Sequence, residues 1–142
     1  MERERDPNRT TPRERFGRGS RLRSAADFQR VRRAGRRRQG RFMTLIFAQT
    51  VDGAGIAAPR IGFSVSKRVG DAVRRNQVKR RLREAARRQL WNVAPGWDMI
   101  VVARPEAASA TYTTLRDDMT ALFAQAHVLR QPDSGDSETQ QQ

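Results

Sequence analysis

RIGFSVSKRVGDAVRRNQVKRRLRE, residues 60–84, changes its apolar period in mid-course, and that change decides the fold. From Ile61 to Ser66 the residues alternate: Ile61, Phe63 and Val65 face one way, while Gly62, Ser64 and Ser66 face the other, as in a strand with one buried side. Asp71 is a good N-cap, and from there to about Leu90 the spacing becomes helical. At about 100° per residue, Val78, Leu82, Ala85 and Ala86 fall on one side and can seat the helix on a sheet. Asn76, Arg80, Arg83 and Arg87 form a narrow stripe on the opposite side, Lys79 flanks it, and Arg81 and Arg88 carry the basic surface further round. Arg75 falls close to the apolar side, where it either snorkels outward or meets a phosphate at the sheet edge.

Outward from this block the elements continue to alternate. Ser24 can cap a short helix to about Ala34, with Asp27 in its first turn and Gly35 closing it. Phe42 to Gln49 reads as a strand with a short basic segment ahead of it, and Thr50 to Pro59 as a turn. On the far side Pro95-Gly96 breaks the chain and Asp98 to Ala103 forms a buried strand, which Arg104-Pro105 ends. A last helix runs from about Thr113 to Val128 with the stripe Leu115, Met119, Leu122, Phe123 and Ala126. The pattern predicts an α+β sandwich, one sheet with helices packed on it. One domain spans residues 19–130, between a polar, basic tail at 1–18 and an acidic, Gln-rich tail at 131–142, both read as disordered.

The net charge of +14 is unevenly placed. Residues 1–41 carry +10, residues 42–88 carry +8 and residues 89–142 carry −4, so a polyanion is expected on the first two thirds of the chain. Arg supplies 27 of the 29 basic residues; its planar fork grips phosphate in bidentate fashion and stacks on bases. The longest apolar run, Met99 to Ala103, is far short of the ~20 residues of a membrane span. No signal-peptide pattern is read, and there is no Cys for disulfides or thiolate metal sites, so a cytoplasmic protein is expected.

Catalytic equipment is sparse. His127 is the only histidine and lies near the tail, and Asp117 and Asp118 are helix neighbours that point about 100° apart. Gly62 to Gly70 lacks the Gly-Lys-Ser/Thr ending of a phosphate loop. Metal-dependent hydrolysis needs convergent carboxylates, and the basic core offers Asp71, already explained as a cap, and Glu84. On the residues alone, the long helix is either an Arg-rich solvated rod or a face for RNA. Ser64, Ser66, Lys67 and Arg68 are either a hydrophilic sheet edge or a phosphate contact, and Phe28 is either core or an exposed stacking surface.

The 60–84 block resembles the signature of the bacterial ribonuclease P protein component family. Ser20-Arg-Leu-Arg-Ser-Ala-Ala-Asp-Phe-Gln-Arg-Val31 is similar to that family's first helix and its entry, and Pro95-Gly-Trp-Asp-Met-Ile-Val-Val-Ala-Arg-Pro105 to its last strand. The resemblance implies a single αβββαβα sandwich of the ribosomal protein S5 domain 2 type, with a left-handed βαβ crossover through the long helix. It also implies a protein subunit that carries no catalytic residue of its own. The cleavage, removal of the 5′ leader to form mature tRNA 5′ ends, would be done by Mg²⁺ held on the RNA subunit, so no cofactor is expected on protein side chains. The implied partners are ribonuclease P RNA and precursor tRNA, with no membrane and no protein partner required.

By the same resemblance, Lys67, Arg68, Arg74, Arg75, Asn76, Lys79, Arg80, Arg83 and Arg87 are expected on the catalytic RNA. Phe28, Arg32, Phe42, Ser64, Ser66 and Lys67 are expected around the single-stranded leader. Two residues depart from the family pattern: Gln77 stands where its Arg-Asn-Arg triplet has a second cation, and Arg32 where a second aromatic is usual. The segment from Arg36 to Phe42 aligns only loosely. A general or ribosomal RNA-binding protein without cleavage, and a protein-only nuclease, are the competing classes.

Overall fold

The computed structural model describes residues 21, 22, 24–50 and 57–130, so both expected tails and most of the expected 50–59 turn lie outside the described residues. Among these residues the order is α1 (Ala25–Ala34), β1 (Arg36–Gln39), β2 (Met43–Gln49), β3 (Arg60–Ser64), α2 (Ala72–Gln89), β4 (Trp97–Ala103) and α3 (Tyr112–Ala126), with short 3-10 turns between. This is the αβββαβα order. The sheet runs β1-β2-β4-β3; β4 is antiparallel to β2 and parallel to β3, so α2 is the crossover between parallel neighbours.

Local chemistry sets the helix ends. The Ser24 Oγ accepts from the Asp27 amide, and the Asp71 carboxylate from the Arg74 amide. Each cap meets one donor that the first helical turn leaves unpaired. α3 ends on His127 in the left-handed region (φ 59°), so the lone histidine serves as a C-cap.

Helices cover both sheet faces. Val31 and Leu22 meet Ile46 and Ile100 under α1, while Val78, Leu82, Ala85 and Ala86 of α2 and the α3 stripe pack on Met43, Leu45, Phe47, Met99 and Val101. Fully burying a Val or Leu stabilises by about 1.5–3 kcal/mol, so these short seams hold the layers together. Covering on both sides also explains why β4 reads as an unbroken apolar run.

Two expectations shift. The strand expected to reach Ser66 ends at Ser64, because the Ser66 side chain turns to cap a 3-10 turn at Lys67–Val69. The basic segment before β2 is itself a strand, paired Arg36↔Phe47 to Gln39↔Thr44, with two exposed Arg side chains at its start.

Asp98 binds the layers across chain distance. It is fully buried at the start of β4, where Arg60 of β3 makes two hydrogen bonds to it of 2.9 and 2.8 Å and Arg30 of α1 also pairs with it. Arg30 reaches on to the Gln49 carbonyl, and Asp27 lies within 3.4–3.5 Å of both arginines. Removing a buried partner strands the charges it held. Asp98→Ala is therefore expected to cost about 3 kcal/mol or more by urea denaturation. Asp117→Ala, which breaks an exposed pair with Arg116, should cost under about 0.5 kcal/mol. Equal costs would show that the cluster does not fasten α1.

Candidate nucleic-acid interface

α1 lies across the sheet as a wall. Phe28 and Arg32 line one flank; Asp27, Arg30 and Ala34 line the other, with buried Val31 between, as helical spacing requires. On the first flank, Phe28 rests on β3 at Gly62. A Cβ at Gly62 would sit 2.4 Å from the Phe28 Cζ, so the glycine is what lets the ring lie down. One turn later an Arg32 Nη donates to the Ser64 Oγ at 3.1 Å. Thus Phe28, Arg32 and Ser64, expected together, are together.

Ser66, Lys67 and Arg68 follow in the exposed 3-10 turn, and the Ser66 Oγ accepts from the Arg68 amide. Phe42 is placed elsewhere. It packs against the core under α2 and α3, and its amide donates to Asp118 of α3 at 2.9 Å, so it does not join Phe28 in the cleft. Gly40, beside it, is required because a Cβ there would meet that carboxylate at 2.7 Å.

On α2, Asn76, Arg80 and Arg83 are exposed, and neither arginine has a carboxylate partner among the described residues. Other expected cations are partly spent inside the protein. Arg87 and Arg88 both pair with Glu84, at 2.7 and 2.8 Å, whose carboxyl is held below its usual range first by the Arg87 hydrogen bond, against partial desolvation. The linked stabilisation is present above the unfolded pKa and lost as pH falls through the folded one. Arg74 donates to the Ala108 carbonyl and Arg81 to that of Ala110, on the side of α2 facing the 105–109 turn. Arg75 is half-buried, as its wheel position suggested, and its buried Nε has no partner.

The two expected regions meet. Lys79 and Arg83 share a pocket of about 240 Å³ with Arg21, Leu22, Phe28 and Gly62. Arg21 and Leu22 were not singled out; they reach it by bridging to β3 at Ile61, with a Leu22 amide to Ile61 carbonyl bond of 3.0 Å. No local period signals such a non-local bridge. Asp98, Arg60 and Trp97 were also missed as partners, although an acid opening an apolar strand was a visible sign of a buried charge.

An α+β sandwich with an uncompensated cationic helix beside an aromatic cleft defines a protein that binds RNA. A model of the ribonuclease P family matches residues 16–127. The ribonuclease P protein component of Chloroflexus aurantiacus is 44% identical over 116 residues, 81% of this chain and 83% of that one. That of Ruegeria pomeroyi is 42% identical over 108 residues, 75% and 85% of the two chains. The solved Staphylococcus aureus RNase P protein is 29% identical, with a TM-score of 0.70 over 80% of this chain and 100% of that one. That from Thermotoga maritima is 28% identical, with a TM-score of 0.64 over 74% and 96%. The chain belongs to the ribonuclease P protein family, the protein subunits of a ribonucleoprotein enzyme acting in tRNA 5′ processing.

Gly62→Ala tests the cleft directly. Overpacking by one methyl is expected to cost about 1–3 kcal/mol in denaturation and to shift the Phe28 ring resonances. Unchanged stability with unmoved resonances would mean that the ring does not rest on that glycine.

Proposed function

We propose that this subunit holds the 5′ leader of precursor tRNA in the cleft between α1 and β3 while the outer side of α2 lies on the catalytic RNA. The observation that carries the reading is the Phe28–Gly62 contact opening into the same pocket as Lys79 and Arg83. A leader base stacks on Phe28, and Arg32, Ser64 and Lys67 meet its backbone. Stacking and phosphate contacts read little base identity, so leader binding is sequence-tolerant. Asn76, Arg80 and Arg83, with Lys67 and Arg68 at the lead-in, offer the catalytic RNA charge that no carboxylate in the described chain offsets.

Hydrolysis belongs to Mg²⁺ on the RNA. Among the described carboxylates, Asp71 caps α2, Asp98 is buried between arginines, Asp118 holds the Phe42 amide and Glu84 is paired. The protein's part is to raise affinity for leader-bearing substrate and to lower repulsion between two RNAs. The setting is the cytoplasm, with no protein partner required.

Reconstitution with the cognate RNA tests this. At low Mg²⁺ the protein should raise cleavage of leader-bearing precursor tRNA, and cleavage should vanish when the RNA is omitted; no gain would refute the reading. Arg80→Glu or Arg83→Glu should weaken assembly with the RNA by about 1 kcal/mol or more and flatten its salt dependence. Phe28→Ala should instead narrow the preference for precursor over mature tRNA with assembly intact. The reverse pattern would mean that the two surfaces are assigned the wrong way round.

A further inference from the structure

The far flank of α1 carries a second groove, of about 540 Å³, at the opposite end of the sheet from Ser64. Arg30 and Ala34 line it from the α1 side, and Arg36, Phe47, Gln49 and Trp97 from the ends of β1, β2 and β4. Trp97 is half-buried and held edge-on against Phe47, with ring centroids 5.8 Å apart at 64°, so the indole is braced. Gln49 is exposed, which leaves its amide open to a base edge. Arg36 is exposed, as are Arg33 on the last turn of α1 and Arg37 beside it on β1, and none has a carboxylate partner among the described residues. A braced aromatic face next to uncompensated guanidinium groups is the chemistry of a single-stranded nucleotide site.

Position selects the strand. The strand register puts Ser64, Val102, Thr44 and Gln39 in one row across the sheet on the cleft side of α1. The groove lies at the other end of β2, from Thr44 to Gln49, about 17 Å away at ~3.4 Å per residue. The exposed arginines 32, 33, 36 and 37 turn the corner between them around the end of α1. Phe47 and Trp97 stand on the sheet face that α2 and α3 cover, so the groove opens at the end of the sheet where its two faces meet, and no α2 residue expected on the catalytic RNA lines it.

We infer that the groove binds a nucleotide of the leader farther from the tRNA than those in the cleft, its base on Trp97 and its phosphate at Arg36. The inference rests on the proposed leader-binding function. The straight distance alone takes about five stacked nucleotides at ~3.4 Å each, and the way round the end of α1 is longer, so only longer leaders reach the groove.

The test uses reconstituted holoenzyme and two precursor tRNAs. One leader is just long enough to give the Phe28-dependent gain, and the other is longer by about twice the five-nucleotide path. Wild type should bind the long leader more tightly. Arg36→Glu and Trp97→Ala should each remove that increment, about fivefold or more, with short-leader binding unchanged, and Trp97→Phe should keep most of it. Arg36→Glu alters an exposed strand-edge residue, so it stays informative if Trp97→Ala fails to fold. An increment absent in wild type or intact in Arg36→Glu overturns the inference. Equal loss on both leaders, or weaker assembly with the RNA alone, also overturns it, by assigning the groove to the catalytic RNA. If short-leader binding is no tighter than that of mature tRNA, or does not depend on Phe28, the underlying leader reading has failed instead.

Discussion

One carboxylate orders the half of the molecule that α1 covers. Asp98 has no exposure, yet it takes an arginine from α1 and another from the start of β3. Desolvating such a cluster offsets much of its Coulomb gain, so its worth lies in direction more than in net stability. An apolar contact leaves a short helix free to slide over a flat sheet; two guanidinium groups converging on one buried acid do not. With α1 pinned on one flank by Arg30, its other flank sets Phe28 on Gly62 and Arg32 on Ser64. Both grooves beside α1 inherit their shape from that attachment.

The cationic surface is smaller than a count of arginines implies. Glu84 holds two of them, backbone carbonyls of the 105–110 segment hold two more, and Asp98 and Asp27 hold Arg30 and Arg60. Among the described residues, the charge that no carboxylate meets lies along α2 from Arg74 to Arg83, in the turn after β3, and around the end of α1. Charge that no carboxylate meets in the free protein is the charge that releases counterions on RNA, so among the described residues these groups govern the salt dependence.

Local signals carried most of the fold. Ser24 and Asp71 were legible as caps because capping needs only the neighbouring amides. The inner side of α2 was legible because a single period fixes it, and Val78, Leu82, Ala85 and Ala86 are all buried. β1 was not: three arginines and a glutamine give the alternation test nothing apolar to find, and the strand exists because β2 offers it an edge. The place of Phe42 is illegible for the same kind of reason, since its ring packs on the core and its amide is held by Asp118, 76 residues away. The Glu84 pairs were legible and passed over: their spacings of three and four residues are those at which helix side chains meet. The bridge of Arg21 to β3, which joins Lys79 and Arg83 to the Phe28 pocket, left no trace in any local pattern.

Arg32 carries a consequence for selectivity on the proposed reading. Where the resemblance implied a second aromatic face, this chain presents a guanidinium already hydrogen-bonded to Ser64. A ring offers a base its face, and stacking strength varies with the base; a cation held at the cleft wall meets the phosphate, which every nucleotide shares. The exchange therefore shifts part of the leader contact from base to backbone. Selectivity among leader sequences falls while sensitivity to salt rises, with Phe28 left as the main stacking surface in the cleft.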